Sequence, residues 1–163
     1  MIEKKTIPVS VYVITKNEEE NIARLLDNLK SFAEVIIVDS GSTDRTLEIA
    51  NSYSNTKVSF NQWPGFGVQK AHALALCSFP WVLNLDADET LSDSFIEKLE
   101  KFIVQDKFVA LKSTRKLLRW GRQPRSFGGV EKLIRLFKKD CGHYESSQVH
   151  ESISINGEIK ESE

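Results

Sequence analysis

Two nearly continuous apolar runs in this chain stop at an aspartate. Val35-Ile36-Ile37-Val38 ends at Asp39, and Trp81-Val82-Leu83-Asn84-Leu85 ends at Asp86. Runs with so little polar alternation present no wet face. They read as strands covered on both sides, which is the pattern of a parallel sheet. Residues 7–14, rich in Val and Ile, read as another strand, and 56–60 as a short one. Between the strands the apolar spacing changes to that of helices. Ile22, Leu25, Leu26 and Leu29 form an i, i+3, i+4, i+7 stripe, with Asn17 as the predicted cap and Glu20 three residues on. Further helices are predicted over 45–53, 68–77 and 94–104. Strand–helix alternation of this kind implies right-handed βαβ units and an α/β fold.

The rhythm changes after Gln105. A long strand is predicted over 108–118, then a loop rich in Gly, Arg and aromatics over 119–130. An alternating strand follows over 132–138, and another over 148–155. Asn156-Gly157 is the dipeptide of a type I′ hairpin, with Ile159 on the return strand. The expected architecture is therefore a mostly parallel central sheet with antiparallel additions in the C-terminal half. No linker-like stretch interrupts it, so residues 1–163 are expected to form one domain.

Charge enters the argument locally. The formal net charge is −1, which selects no class of partner, but residues 112–139 carry ten Lys/Arg and a single acid, Glu131. Such a run is either a solvated basic face or an attraction to an anionic acceptor or membrane surface. Cys77 and Cys141 are too few and too scattered for a disulfide framework, and Cys77 reads as a small buried apolar residue. The start carries Glu3, Lys4 and Lys5 ahead of a strand rather than a leader. No apolar stretch approaches the roughly 20 residues that span a bilayer. A cytoplasmic protein is expected, with room for peripheral contact at a membrane.

The acids that end the strands are the first chemical candidates. Ligands of open parallel sheets bind beyond the carboxyl ends of the strands. In extended backbone Asp86 and Asp88 point to the same side. Two hard oxygen ligands, with room left for water and phosphates, suit Mg²⁺ or Mn²⁺. The pair predicts a divalent ion gripping a nucleotide diphosphate. The same acids also suit a plain loop ahead of a helix, where Thr90, Ser92 and Ser94 are cap candidates and Ser94-x-x-Glu97 fits a capping box. An EF-hand is excluded, because Leu91 stands where its glycine is required. Asp39, with the close-approach turn Ser40-Gly41-Ser42, can accept hydrogen bonds from a base or ribose. Asp44 reads as a residue that caps or charges the N-terminus of the next helix.

Val38-Asp39-Ser40-Gly41-Ser42-Thr43-Asp44, followed about forty residues later by Leu85-Asp86-Ala87-Asp88, resembles the family 2 glycosyltransferases of the GT-A fold. Thr15-Lys16-Asn17-Glu18, Gly65-Phe66-Gly67-x-Gln69-Lys70, Leu133-Ile134-Arg135-Leu136-Phe137 and Val149-His150-Glu151 fit the same pattern. Together they resemble the subgroup that adds sugars to the lipopolysaccharide inner core of Gram-negative bacteria. The resemblance implies a Rossmann-like three-layer α/β/α fold and an inverting, metal-assisted transfer from a nucleotide-activated sugar, usually UDP-linked, to a glycan acceptor at the inner membrane. It implies that Thr15, Glu18 and Asp39 border the nucleotide. It places Asp86 near ribose and sugar, Asp88 on the metal, and Lys70 near the nucleotide; Lys70 reads equally as a solvated helix lysine. It also implies further C-terminal helices on the acceptor side, which residues 1–163 do not include.

Sugar transfer requires a general base at the acceptor hydroxyl. Glu151 is the candidate, because a strand through 149–155 would set it among Val149, Ile153 and Ile155, where desolvation makes a carboxylate more basic. An edge strand would instead leave it in solvent. His150 faces the opposite way, as a neighbour of the site, as a metal ligand, since imidazole tolerates Mn²⁺, or as a surface histidine. His72 lies on an apolar helix stripe and reads as packed. Arg119, Arg122 and Arg125 suit a phosphorylated acceptor. Two other readings compete. Asp86-Ala87-Asp88-Glu89-Thr90 also resembles the Asp-x-Asp-x-Thr motif of haloacid-dehalogenase-like phosphohydrolases, but it lies on the fourth strand and no later Gly-Asp-x-x-x-Asp follows. The third reading is a non-catalytic nucleotide-sugar-binding module.

Overall fold

The structure, a computed structural model, describes residues 6–116, 130–144 and 152–161. In chain order the elements are β1 (Ile7–Thr15), α1 (Ile22–Asn28), β2 (Phe32–Asp39), α2 (Thr46–Asn51), β3 (Thr56–Phe60), α3 (Phe66–Leu76), β4 (Trp81–Asn84), α4 (Asp93–Gln105), β5 (Ala110–Lys116), β6 (Val130–Lys138), β7 (Gly142–Tyr144), β8 (Ile153–Ile155) and β9 (Ile159–Glu161). The main sheet runs β3-β2-β1-β4-β6-β5-β9. Its first four strands are parallel, while β6 pairs antiparallel with both β4 and β5. The parallel sheet with antiparallel additions is thus as the apolar pattern indicates.

The period-2 alternation of each strand builds two cores. On one face Val9, Val11, Val13, Leu83 and Leu136 pack with Ile22, Leu25, Leu26 and Leu29 of the first helix and its C-cap, and with Leu99 and Phe102 of α4. Leu25 and Leu29 are fully buried. Burial of such a side chain contributes about 1.5–3 kcal/mol. On the other face Tyr12, Ile36, Val38, Val82 and Phe137 meet Ala73, Leu74 and Cys77 from α3, with Tyr144, Ile153 and Ile155 of the small β7–β8 sheet. Cys77 is 4% exposed, and burial pushes its thiol up to about 12, as fits an inert packing residue. At the amino-terminal edge, buried Glu34 accepts from Ser10, Lys57 and Ser78 and ties β1, β2, β3 and the α3–β4 connection together.

Four local expectations are corrected. Asn17 does not cap α1: it has φ +55°, its side chain accepts from the Thr43 N–H, and the helix starts after Asn21. The cap of α4 is Ser92, whose Oγ accepts from the Phe95 N–H at 3.2 Å, so the Ser94 capping box does not form. Strand β4 ends at Asn84, and residues 87–88 form a turn; the same-side argument for Asp86 and Asp88 therefore lacks its extended backbone. Asn156-Gly157 does not close a hairpin. The strand before it, β8, pairs with β7, and the strand after it, β9, pairs parallel with β5. Gly157 keeps the positive φ, +135°, that the dipeptide suggests, but it carries the chain from one sheet to the other.

Candidate functional site

The carboxyl ends of β1, β2 and β4 bring the predicted residues to one edge. Thr15 is in register with Asp39, and Tyr12 with Asn84. Asp39 is 1% exposed. Its Oδ2 accepts from the N–H groups of Gly41 and Ser42, both at 2.8 Å, and its Oδ1 accepts from the hydroxyls of Ser42 and Thr15. A carboxylate offers about four acceptor positions, so Asp39 is fully engaged in shaping its own turn. Gly41, at φ +100°, lets that turn close. The β1–α1 and β2–α2 loops are stitched together across the edge. The Asn17 N–H donates to Ser42, the Glu18 N–H to Thr46, and the Glu19 N–H to Asp44. The Glu18 carboxylate accepts from Asn21 at 2.9 Å, bracing the start of α1. Asp44 accepts from the Thr46 N–H at 3.0 Å and from the Thr46 hydroxyl; the N-cap of α2 is Arg45, so Asp44 braces and charges that helix start rather than capping it.

Two residues past β4, Asp86 sits among three cations. Lys70 Nζ lies 3.3 Å from Oδ1, and Arg135 Nη2 lies 3.2 Å and Arg115 Nη1 3.5 Å from Oδ2. Burial pushes the Asp86 carboxyl up, but Lys70 and Arg135 outweigh it and hold the group below the usual carboxylate range. Lys70 is 3% exposed, which removes the solvated-lysine reading. Arg135 is 8% exposed. It also donates to Asn84 at 3.1 Å and to Glu89 at 2.6 Å. Glu89 in turn accepts from the Asp86 N–H at 2.9 Å, so it fixes both the turn and the arginine. Asp88 is exposed, and its carboxylate has no hydrogen-bond or ion-pair partner among the described residues.

The donor set for a metal is sparse. Among the described residues no group of three His, Cys, Asp or Glu converges. Asp86 faces cations, which leaves Asp88 as the carboxylate open to an ion. One carboxylate supplemented by water and phosphate oxygens is a usual way for Mg²⁺ to be held, so these residues fit an ion that is bound largely through its substrate. Glu151, His150, Arg119, Arg122 and Arg125 lie outside the described residues.

Arg135, Glu89, Arg115 and Asn84 escaped the sequence reading. Arg135 carried a signal: in the alternating segment it shares a face with Leu133 and Phe137, and arginine is seldom buried unless it is paired. The basic run also changes character in three dimensions. Lys112 and Lys132 pair with Glu161, Lys138 with Asp106, and Arg115 with Glu131. Lys139 donates to the carbonyls of Ala75 and Cys77. Acids distant in sequence neutralise most of its described portion. His72 is half-buried, and its Nε2 has no hydrogen-bond partner among the described residues. Among the described residues no helix is long and apolar enough to cross a membrane.

Known proteins share this fold. The fold matches TarS of S. aureus, residues 1–349, with a TM-score of 0.62 at 22% identity, covering 83% of this chain and 48% of that one. The same fragment crystallised with UDP-GlcNAc aligns at 30% identity and TM-score 0.62 over 74% of this chain and 37% of that one. Glucosyl-3-phosphoglycerate synthase of Mycobacterium tuberculosis, in complex with UDP, matches with a TM-score of 0.61 at 22% identity, over 84% of this chain and 58% of that one. The fold is GT-A. In sequence, the chain is 35% identical over 161 residues to the lipopolysaccharide core biosynthesis glycosyltransferase LpsC of Rhizobium meliloti, covering 94% of this chain and 59% of LpsC. It is 36% identical over 159 residues to a glycosyltransferase of Rickettsia typhi, covering 93% of this chain and 54% of that protein. The chain thus spans little more than half the length of these relatives. Residues 10–153 match the model of glycosyl transferase family 2, and with both strand-end aspartates inside that match the chain belongs to this family.

Proposed function

We propose that the chain binds a nucleotide-diphosphate sugar, UDP-linked, and serves an inverting, metal-assisted transfer of its sugar to a lipopolysaccharide-core or related glycan acceptor. The observation that carries this reading is the meeting of buried Lys70 with Asp86 at the carboxyl edge beside Thr15 and Asp39. The likeness to LpsC supports the class of acceptor, and the 30% identity to TarS in its UDP-GlcNAc complex supports the class of donor.

Thr15, Glu18 and Asp39 wall the nucleotide side. Because Asp39 is already engaged, its part is to hold the turn whose backbone the base meets. Asp86 faces the ribose and the sugar. Asp88 would hold Mg²⁺ or Mn²⁺, an ion that supplies charge neutralisation to the departing diphosphate. Glu151, with His150 beside it, takes the proton from the acceptor hydroxyl. That oxygen attacks the anomeric carbon from the face opposite the leaving group, the bond from carbon to phosphate oxygen breaks, and one displacement inverts the centre. Arg119, Arg122 and Arg125 receive an anionic acceptor, at the membrane face where such an acceptor is made.

A thermal-shift screen of nucleotide sugars with Mn²⁺ tests the reading. Binding raises the melting temperature by mass action, and a UDP-sugar is expected to raise it where the other nucleotides do not. No shift with any nucleotide sugar would overturn the reading. Binding without transfer to any glycan would leave a nucleotide-sugar-binding module. Family membership removes the phosphohydrolase alternative.

A further inference from the structure

We propose that Lys70 and Arg135 form a two-cation seat for the diphosphate of the donor, in which Asp86 is the resident anion and Glu89 is the carboxylate that keeps Arg135 in place; this rests on the nucleotide-sugar reading above. Both cations are almost wholly withdrawn from water, at 3% and 8% exposed. Buried cations require a partner, and their shared partner is Asp86, whose side chain is 34% exposed. The place it occupies is therefore reachable from the solvent side.

The distances separate anchor from seat. Charge-assisted N–H···O contacts ordinarily measure about 2.7–2.9 Å. Arg135 meets Glu89 at 2.6 Å but Asp86 at 3.2 Å, and Lys70 meets Asp86 at 3.3 Å. Arg135 is thus clamped from the Glu89 side, with Asn84 as a second anchor at 3.1 Å, and is held loosely on the Asp86 side. Among the described residues, three of its five N–H donors have partners. Arginine's planar fork matches phosphate oxygens, and a lysine supplies a point charge. The pair comes from α3 and β6, elements far apart in sequence that close on the turn after β4.

A purely structural ion pair and a diphosphate seat differ in one readout, the gain in affinity of UDP over uridine. Calorimetric titration of UDP and of uridine in EDTA isolates the contribution of the protein's own cations. The intact chain is expected to bind UDP more tightly than uridine. Arg135→Gln should remove about ten- to hundredfold of that preference, the size of a lost charge-assisted bond, with uridine affinity unchanged. Arg135→Lys should restore part of it. Where Arg135→Gln alone fails to fold, the Glu89→Gln/Arg135→Gln double variant removes both charges of the tight pair and carries the same comparison. An unchanged ratio of UDP to uridine affinity in a folded variant lacking Arg135 overturns the seat while leaving the donor reading intact. An intact chain that binds neither UDP nor uridine, with or without Mn²⁺, overturns both.

Discussion

Asp39 and Asp86 end similar apolar runs, yet the structure uses them differently. Asp39 is closed by three donors of its own turn and by the facing Thr15 hydroxyl. Asp39→Ala should therefore act first on stability. It leaves the part-buried N–H groups of Gly41 and Ser42 without their acceptor, at a loss of about 0.5–1.5 kcal/mol, readable by urea unfolding. Asp88→Ala removes no protein contact and should leave unfolding within about 0.5 kcal/mol of the parent while abolishing the Mn²⁺-dependent part of UDP binding. Glu34 gives a pH signature. Burial pushes its carboxyl up, but Lys57, Ser10 and Ser78 hold it at about 2, below its ordinary 4.5. A depressed folded value stabilises above pH 4.5 and loses that stabilisation as pH falls toward 2. The contribution is about 3 kcal/mol at neutral pH, of which about 2 kcal/mol is gone by pH 3. Glu34→Gln should be less stable than the parent at pH 7 and nearly equal to it at pH 2, by urea unfolding at each pH. Positions that end an apolar run were legible, because strand ends can be read from local pattern. Arg135 and Glu89 were not, because their roles exist only where β6 and the turn after β4 meet.

At the scale of elements, the parallel half was readable because β1, β2 and β4 are covered on both faces and the first helix shows its stripe. Residues 56–60 are a strand as predicted, and the Ile22, Leu25, Leu26 and Leu29 stripe is wholly buried. The second half was less readable because its pairings are long-range. The Asn156-Gly157 turn fixed a local conformation but not which strands would flank it. Gly157 shows both sides: a Cβ there would lie 2.6 Å from Val109 Cγ2, on a backbone at φ +135°. Gly157→Ala should thus destabilise by about 1–3 kcal/mol. Hydrogen exchange is expected to show the loss concentrated in β9 and at Val109, whose N–H donates to Glu158. Exchange spread evenly over the sheet would contradict the view that this turn docks β9.

For the chain as a whole, the sheet order sets where the candidate site lies. It places β1, β2 and β4 side by side with their carboxyl ends on one edge, and brings β6 alongside β4 so that Arg135 reaches the same turn as Lys70. Membership of glycosyl transferase family 2 and likeness to enzymes about twice its length agree with a donor-binding edge. The central claim is that this edge receives a nucleotide diphosphate. Crystals of the chain soaked with UDP and Mn²⁺ test it most directly. The diphosphate is predicted to lie over Lys70 and Arg135 with the ion on Asp88, and the uridine against the Asp39 turn; UDP bound away from that edge, or ordered there without touching any of these side chains, would contradict it.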